Sequence, residues 1–274
     1  MNAPFPMPDA DAASVAVRLR DVGKTFANGT EALRGVDLDI ARGSFVSLLG
    51  PLGCGKSTVL RLVADLAWPT TGRIAYPDRD AGRRSARPEI GFVFQEPTLM
   101  PWATVAGNVR LPLRIKRVKR AEADALVADA LERVGLAEFA HVYPRELSGG
   151  MKMRVSIARA LVTRPDVLLM DEPFAALDEI TRFRLNDDLL QLWEDTGWTV
   201  LFVTHSVFES VYLSERIVVM APRPGRIHAD IRVATDHPRD EAFRTAPDYN
   251  RYCREASAAL HGAMETPTPA EVHA

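Results

Sequence analysis

Three short segments of the chain are apolar along nearly their whole length, and they restrict the fold more than any other feature. They read SFVSLLG at 44–50, DVLLMDEP at 166–173 and WTVLFVTHS at 198–206. Strands with apolar side chains on both faces are typical of a parallel sheet that is covered by helices on both sides. Segments with helical character separate the three in the sequence. The chain is therefore predicted to be an α/β protein.

Two further regions predict additions to this sheet. Near the N-terminus, apolar residues occupy every second position at 15–19 and at 36–40, which indicates half-exposed antiparallel strands. Residues 97–165 are helical in pattern. Within them, AEADALVADALERVGL repeats apolar residues four apart, and Gly135 is placed to end that helix. We therefore expect an antiparallel β subdomain and an inserted α-helical subdomain over about 97–165.

The two ends of the chain carry little periodicity. Residues 1–13 are rich in Pro, Ala and Asp and are predicted to form a disordered tail. The pattern weakens again after about residue 235, and METPTPAEVHA at the end is predicted to fray. One domain is therefore expected over 14–240, followed by a partly disordered C-terminal extension over 241–274.

The composition excludes several classes of protein. Hydrophobic residues make up 47% of the 274 residues and charged residues 26%, and the net charge of −2 argues against a protein that coats nucleic acid. Cys54 and Cys253 are too few for a disulfide scaffold, and no cysteine–histidine cluster has zinc spacing. The N-terminus lacks the features of a secretory signal, and no apolar run approaches the ~20 residues that cross a bilayer. We expect a cytosolic protein that reaches a membrane only through a partner.

The segment after the first apolar strand has the pattern of a phosphate-binding loop. Residues 50–58 read GPLGCGKST, which fits G-x-x-x-x-G-K-[ST], and the predicted helix STVLRLVADL follows. In such a loop the backbone amides surround phosphate oxygens, Lys56 adds a cation, and Ser57 can bind Mg²⁺. The candidate nucleotide-binding residues here are Gly50, Pro51, Leu52, Gly53, Cys54, Gly55, Lys56, Ser57 and Thr58.

The second apolar strand ends in two acidic residues. Asp171 at its end is expected beside the phosphate loop, because the carboxyl ends of parallel strands meet at one edge, and there it could hold Mg²⁺ through water. Glu172 would then point toward the terminal phosphate, where a carboxylate can polarise water as a general base. The pair therefore predicts hydrolysis of the bound nucleotide.

A second glycine-containing helix start lies far downstream. LSGG at 147–150 precedes the helical segment MKMRVSIARAL, so Ser148, Gly149 and Gly150 offer a hydroxyl and amides at a helix N-terminus. Taken alone, Ser148 would be an ordinary helix cap. Its interpretation depends on the other motifs of the chain.

Together the motifs resemble those of the ATP-binding-cassette ATPases, the nucleotide-hydrolysing subunits of ABC transporters, over about residues 15–235. They follow that family's order: Phe26, the loop at 50–58, Gln95 in FVFQEP, LSGG at 147–150, LLMDEP at 168–173, ALD at 176–178, and His205 after LFVT. The resemblance implies a P-loop NTPase core of the RecA type and a requirement for ATP and Mg²⁺.

The resemblance also explains the second helix start. In this family two subunits hold two ATP molecules head to tail, each on the phosphate loop of one chain and against the LSGG segment of the other. Ser148, Gly149 and Gly150 would therefore act on the partner's nucleotide, and Asp178 would face the partner's phosphate loop. A homodimer, or a pair of such ATPases, is expected.

The same resemblance assigns the remaining roles. Gln95 would contact Mg²⁺ and the attacking water, His205 would bind the γ-phosphate, and Phe26 would stack on adenine. The implied catalytic residues are Glu172, His205 and Gln95, and the implied metal-binding residues are Ser57, Gln95 and Asp171.

The sequence departs from the family's common pattern at a few positions. Phe26 lacks the hydroxyl of the Tyr that is common there, and Leu52 replaces a small Ser. Lys152 and Met153 stand where Arg and Gln are common, which bears on polar contacts at the dimer face. Ala176 replaces another small residue. Because Glu172 and His205 are both present, two competent sites are expected.

Other segments resemble the importer ATPases of the nitrate, sulfonate and taurine group. They are LMPWATVAGNV at 99–109, APRPGRI at 221–227 and DHPRD at 236–240. Such ATPases lie at the cytoplasmic face of the inner membrane and work with an integral-membrane permease and a periplasmic solute-binding protein. Uptake of nitrate, a sulfonate, taurine or a related small solute is therefore expected, with no nucleic-acid partner.

Two surface features of the predicted helical subdomain have alternative interpretations. Met100, Pro101, Trp102 and Val105 could be exposed anchors for a permease helix, or they could pack within the subdomain. RIKRVKR at 114–120 could be a solvated face or could contact anionic lipid head groups.

Three other classes of ATPase share parts of this site. A chromosome or DNA-repair ATPase would carry long heptad repeats between the phosphate loop and LSGG, but residues 58–147 contain only one short amphipathic helix. A translation-factor ATPase carries two cassettes in one chain. A P-loop kinase acting on a small molecule would need neither LSGG nor the histidine.

Overall fold

The computed structural model describes residues 15–77, 88–235 and 239–265. The strands there are β1 (Val15–Thr25), β2 (Glu31–Ala41), β3 (Phe45–Leu49), β4 (Thr71–Ala75), β5 (Ile90–Val93), β6 (Val167–Asp171), β7 (Thr199–Thr204), β8 (Arg216–Ala221) and β9 (Arg226–Arg232). The α-helices are α1 (Lys56–Val63), α2 (Val105–Ile115), α3 (Arg120–Arg133), α4 (Gly149–Leu161), α5 (Glu179–Thr196), α6 (Val207–Leu213) and α7 (Pro247–Glu265). None of the helices in these ranges combines the length and the apolar character that a membrane span requires. The predicted tail at 1–13 lies outside the described residues, as do 236–238 of DHPRD and 266–274 of the predicted frayed end.

A six-stranded sheet lies at the centre, in the order β5-β6-β7-β3-β8-β9. All neighbouring pairs are parallel except β8 and β9. The three apolar segments of the sequence are β6, β7 and β3, which lie side by side, and every residue of β3 and β7 is buried. The predicted α/β fold is confirmed.

Parallel pairing brings the carboxyl ends of these strands to one edge of the sheet. The phosphate loop (residues 50–58) follows β3, Glu172 follows β6, His205 follows β7, and Gln95 follows β5. The fold therefore gathers most of the residues that were predicted to form the nucleotide site.

Strands β1, β2 and β4 form a separate antiparallel sheet, as the period-two pattern predicts. Part of its polar side is an ion-pair cluster. Asp39 on β2 is only 8% exposed, and Arg20 donates a hydrogen bond of 2.7 Å to each of its carboxylate oxygens, with Arg18 Nε 3.2 Å from one of them. Arg216 on β8 donates to the backbone carbonyl of Asp39 at 2.5 Å, so this residue also joins the small sheet to the large one.

Helices α2, α3 and α4 form the predicted helical subdomain and share one apolar cluster with the central sheet. Thr104 caps α2 by accepting a hydrogen bond from Gly107 N, and Gly135 follows α3 with φ of +67°, a conformation that favours glycine. The buried Asn108 amide donates to three carbonyls of the preceding loop, those of Met100, Ala103 and Thr104.

The structure decides between the two interpretations of Val105. Its side chain is fully buried, because it begins α2 on the face that packs into the core, so Val105 packs within the subdomain and is not an exposed anchor. Trp102, in the loop before the helix, is 77% exposed. The helix boundary, which the sequence pattern did not resolve, separates the exposed residue from the buried one.

The region after residue 235 contains a long helix that the weak sequence periodicity does not predict. Helix α7 packs against α6 and β8 through Tyr249, Tyr252, Cys253 and Ala256. The buried guanidinium of Arg239 precedes it and donates hydrogen bonds to the carbonyls of Val211, Tyr212 and Ser214 at the end of α6. Burial lowers the pKa of Arg239 to about 10. The C-terminal segment is therefore attached to the helix that follows His205.

We expect Asp39→Asn to destabilise the fold at neutral pH by about 1–3 kcal/mol, because it removes the charge to which two guanidinium groups are hydrogen-bonded. Burial raises the pKa of the Asp39 carboxyl, but the hydrogen bond and charge of Arg20 and the charge of Arg18 outweigh it, so the pKa lies below its usual range. This stabilisation is therefore present above the ordinary carboxyl pKa and is lost as the pH falls through the lower, folded-state pKa. Urea unfolding of both proteins at several pH values should show the difference shrinking in acid.

The matched control is Asp37→Asn on the exposed side of the same strand. Asp37 accepts one backbone hydrogen bond from Asp21 N, which an amide oxygen can also accept, so its effect should stay within about 0.5 kcal/mol. Equal losses in both variants would show that the Asp39 cluster has no special role.

Candidate functional site

The phosphate loop is built from backbone conformations that only glycine adopts readily. Gly53 and Gly55 have φ of +76° and +94°, and Gly55 is the N-cap residue immediately before α1. A Cβ on Gly55 would lie 2.9 Å from the carbonyl oxygen of Ala32 and 2.6 Å from a methyl carbon of Leu33. The loop therefore directs its amides and the N-terminus of α1 toward one point, which is the arrangement that binds phosphate.

Lys56, the cation of this loop, is 4% exposed. Its ammonium group donates hydrogen bonds to the carbonyl oxygens of Gly50 at 2.7 Å and Pro51 at 3.1 Å. Cys54 is fully buried behind it, and burial raises the pKa of that thiol. Leu52 lies at the tip of the loop and is 83% exposed, so its size has no effect on the interior of the loop.

Ser57 and Asp171 meet across the gap between α1 and β6. The Ser57 hydroxyl donates a hydrogen bond of 2.7 Å to Asp171 Oδ1. Burial raises the pKa of the Asp171 carboxyl, and the hydrogen bond from Ser57 opposes the rise. A hydroxyl and a carboxylate at this separation, beside a phosphate-binding loop, are suited to hold Mg²⁺.

Glu172 lies between Lys56 and His205, two other residues that were predicted to form the nucleotide site. Its Oε1 is 3.6 Å from Lys56 Nζ and its Oε2 is 3.3 Å from His205 Nδ1. Its backbone has φ of +46°, which is uncommon for a residue with a side chain, and its amide donates to the carbonyl of Val203 at 3.0 Å. The left-handed backbone turns the side chain from the end of β6 toward the phosphate loop.

Gln95 and Phe26 are two exposed residues that were also predicted to belong to the nucleotide site. Gln95 is exposed and comes two residues after the end of β5, the strand that pairs with β6. The ring of Phe26 is 41% exposed, in a turn closed by a hydrogen bond from Phe26 N to Thr30 O, and Lys24 Nζ lies 5.5 Å from the ring centroid. An exposed, fixed aromatic ring of this kind can stack on a base.

Ser148, Gly149, Gly150 and Asp178 form a second group. Ser148 caps α4 by accepting a hydrogen bond from Met151 N at 3.3 Å, and Asp178 caps α5 by accepting one from Thr181 N at 2.9 Å. A Cβ on Gly150 would lie 2.7 Å from Thr181 Cγ2, so the two helix starts are in close contact.

The two groups are separate within one chain. In the described part of the protein, no hydrogen bond or ion pair joins the Ser148 group to Lys56, Ser57, Asp171 or Glu172. The first group holds a cation, a hydroxyl–carboxylate pair that can bind a metal, and Glu172, whereas the second offers two helix N-termini, the Ser148 hydroxyl and the capping carboxylate of Asp178.

Sequence reasoning missed a group of contacts next to the turn that carries His205. Glu209 on α6 accepts a hydrogen bond from Thr204 Oγ1 at 2.5 Å, and Arg182 on α5 lies 3.7 Å from its other oxygen. The available signal was SVFE at 206–209, the capping pattern in which Ser is followed three residues later by Glu. Ser206 does cap α6, by accepting a hydrogen bond from Glu209 N.

Gly225 was also missed as part of the site. It lies in the segment APRPGRI, and a Cβ there would be 2.2 Å from the carbonyl oxygen of Cys54. Gly225 N donates to Ala32 O at 2.9 Å, and Arg34 N donates to Gly225 O at the same distance. This turn therefore supports the phosphate loop from behind.

Comparison with known proteins agrees with this geometry. The family described as "ABC transporter" matches residues 33–175. The taurine import ATP-binding protein of Rhizobium johnstonii is 41% identical over 241 residues, which covers 86% of this chain and 91% of that protein. An aliphatic sulfonates import ATP-binding protein of Pseudomonas syringae is 47% identical over 217 residues, covering 79% and 85% respectively.

The fold has been seen in solved structures with bound nucleotide. A dimeric ATP-binding cassette in a post-hydrolysis state, bound to ADP and Pi, is similar with a TM-score of 0.69 and 35% identity, over 80% of this chain and 100% of that one. This similarity agrees with the family match and with the relatives. The chain belongs to the ABC transporter family and is one of its ATP-binding, ATP-hydrolysing subunits.

Proposed function

We propose that this ATPase powers the uptake of a small sulfonate-type solute, and that it does so as a dimer with two composite ATP sites. The observation that carries the proposal is the grouping of Lys56, Glu172 and His205 at one sheet edge, with no hydrogen bond or ion pair to the Ser148 group among the described residues. A site whose phosphate-binding parts lie in two separate places on one chain is complete only when two chains meet.

The first half of the site would hold the phosphates and the metal. The amides of the phosphate loop and the Lys56 ammonium bind the β- and γ-phosphates, and the exposed ring of Phe26 stacks on adenine. Ser57 and Asp171 would hold Mg²⁺, with Gln95 as a further ligand, and the hydroxyl–carboxylate pair at 2.7 Å fits such an ion. When bound, Mg²⁺ neutralises charge that develops on the phosphate oxygens.

Glu172 would act as the general base. Its carboxylate lies between Lys56 and His205, beside the phosphate loop, and this position supports a role in polarising the attacking water. His205 would contact the γ-phosphate and fix the orientation of Glu172, while Gln95 would contact the attacking water. The chain supplies the base and the positioning groups from three adjacent strand ends.

The partner would supply the remaining contacts. Ser148, Gly149 and Gly150 would bring a hydroxyl and amides to the γ-phosphate on the other subunit, and Asp178 would face that subunit's phosphate loop. Support comes from the dimeric cassette that is similar to this chain and from the close packing of Gly150 on Thr181, which keeps the two segments together.

The names of two relatives support a proposal for the cargo. A taurine import ATP-binding protein and an aliphatic sulfonates import ATP-binding protein are 41% and 47% identical to this chain, so a taurine- or sulfonate-like solute is proposed. An integral-membrane permease would form the pathway, a periplasmic solute-binding protein would deliver the solute, and the ATPase would lie at the cytoplasmic face of the inner membrane. The exposed Trp102 and Pro101 beside the helical subdomain remain candidate contacts for the permease.

Replacing Glu172 with Gln should abolish turnover without preventing ATP binding. Loss of a general base lowers kcat by about 10²–10⁴-fold, and the dimer should then persist in ATP, which gel filtration will detect. Glu138→Gln, an exposed change on the helical subdomain, should leave both properties unchanged. Turnover at the wild-type rate in Glu172→Gln would remove Glu172 from its proposed role.

Mixing two inactive variants should restore activity. Lys56→Ala disables the phosphate loop and Ser148→Arg blocks the partner-facing segment, so each homodimer should be inactive. A mixed dimer contains one site with an intact Lys56 from one subunit and an intact Ser148 from the other. ATP turnover that appears on mixing supports the composite site, whereas a monomer that hydrolyses ATP at the full rate contradicts it.

Deletion of the gene should selectively abolish uptake of the cargo. We expect labelled taurine or an aliphatic sulfonate to stop accumulating in the deletion strain, and expression of the wild-type chain, but not of Glu172→Gln, to restore uptake. Unchanged uptake of these compounds together with loss of nitrate uptake would reassign the cargo.

A further inference from the structure

The first turn of α6 contains a buried carboxylate that the proposed chemistry does not use. Glu209 is 8% exposed and comes four residues after His205. Placing an ionisable carboxyl in the interior costs free energy unless hydrogen bonds or opposite charges compensate it. The groups that contact the Glu209 carboxylate therefore indicate which parts of the structure it stabilises.

One carboxylate oxygen of Glu209 is linked through hydrogen bonds to the residues on either side of His205. Its Oε2 accepts the hydrogen bond of 2.5 Å from the hydroxyl of Thr204, the residue that precedes the histidine. The same hydroxyl oxygen accepts a hydrogen bond of 2.9 Å from the amide of Ser206, the residue that follows it. Glu209 and Thr204 thus fix the turn on which His205 projects.

The other oxygen of Glu209 faces Arg182 on α5, the helix that follows the loop at 174–178, which carries Asp178 and which we call the Asp178 loop. Arg182 Nε is 3.7 Å from Oε1, and Arg182 Nη2 donates a hydrogen bond of 2.9 Å to the carbonyl of Leu177 inside that loop. Arg182 is on the first turns of α5, whose cap is Asp178 itself. One guanidinium therefore connects the Asp178 loop to Glu209.

Arg182 and Glu209 form an ion pair but not a hydrogen bond. Both Arg182 Nε and Glu209 Oε1 are buried, and neither has a hydrogen-bond partner within the described residues. A movement of less than ~1 Å would turn the ion pair into a charge-assisted hydrogen bond. The pair is thus sensitive to small displacements of the Asp178 loop.

The opposite charges of Arg182 and Glu209 compensate each other in the buried environment. Burial raises the pKa of the Glu209 carboxyl, and the hydrogen bond of Thr204 and the charges of Arg182 and His205 oppose the rise. Removal of Arg182 would leave the carboxyl with less compensation, while removal of Glu209 would leave the guanidinium without a counter-charge.

We propose that Arg182 and Glu209 are positioning residues that couple the Asp178 loop to His205, so that contact of the partner subunit with this loop places the histidine for hydrolysis. The inference rests on the proposed function, in which His205 acts on the γ-phosphate and Asp178 faces the partner. In that arrangement Arg182 and Glu209 contact protein groups and not the nucleotide. Their effect reaches the site through Leu177 on one side and Thr204 on the other.

A double-mutant cycle on the full-length chain tests this coupling. Arg182→Gln and Glu209→Gln should each lower kcat by about tenfold or more and leave KM for ATP within about twofold, because the loop that binds phosphate is not altered. The double variant should be no slower than the slower single variant, since the two residues act as one unit. Multiplied effects in the double variant, or a kcat within about twofold of wild type in either folded single variant, would overturn the proposal.

The control is Arg184→Gln, an exposed arginine two residues further along the same helix, which should keep the wild-type kcat. If either Gln variant fails to fold, as judged by thermal unfolding, Thr204 gives a second route. Thr204→Val removes the hydroxyl at equal volume and should lower kcat, whereas Thr204→Ser retains the hydroxyl and should restore most of it. A Thr204→Val enzyme with wild-type kcat would contradict the proposal.

A further arm separates positioning from general loss of structure. In a Glu172→Gln background, Glu209→Gln should still form the ATP-dependent dimer, because the step affected is the chemical one. Loss of that dimer would mean that the pair maintains the interface and does not position His205. If Glu172→Gln alone retains full turnover, the proposed function fails; if it is inactive while the Arg182 and Glu209 variants turn over normally, only the coupling fails.

Discussion

The structure depends on the parallel register of β3, β6 and β7. Leu49 at the end of β3 is level with Thr204, and Asp171 at the end of β6 is level with Val203. The three strands therefore end within one or two residues of each other, and whatever follows them is held at the same height. A shift of one residue in a parallel pair would turn every side chain to the opposite face of the sheet. Because both faces of these strands are buried, such a shift is strongly disfavoured.

The common edge of the three strands also explains how Glu172, whose backbone is strained, is kept in place at the centre of the site. Glu172 has a left-handed backbone, a conformation that costs of order 1–3 kcal/mol outside glycine. The next residues compensate for it: Phe174 is 1% exposed and packs against Phe202 of β7 with ring centroids 5.9 Å apart. The amide of Glu172 is also bonded to Val203. Packing of the loop on β7 therefore holds the carboxylate between Lys56 and His205.

The parts of the protein that could be predicted from sequence are those encoded by local pattern. The apolar strands, the glycines of the phosphate loop and the order of the motifs are all local, and they led to the fold class and to the family. Val105 shows the limit of local pattern, since the sequence left open whether this valine is exposed or packed, and only the position of α2 shows that it is buried. Helix α7 was missed because small and polar residues dilute its apolar stripe, although Tyr249 and Tyr252 are buried in it. The Arg182–Glu209 pair spans 27 residues of sequence, and no local pattern records which arginine an acidic residue will meet.

The second half of the site is tied to the first through the same loop. Gly149 and Gly150 pack on Leu177 and Thr181 closely enough that a Cβ on Gly150 would be 2.7 Å from the threonine methyl group. The LSGG segment and the Asp178 loop therefore form one packed surface. Phe174, at the start of that loop, packs on β7, the strand that leads to His205. In the proposed dimer, the surface that one subunit offers to its partner's nucleotide is thus continuous with the loop and the strand from which its own Glu172 and His205 project.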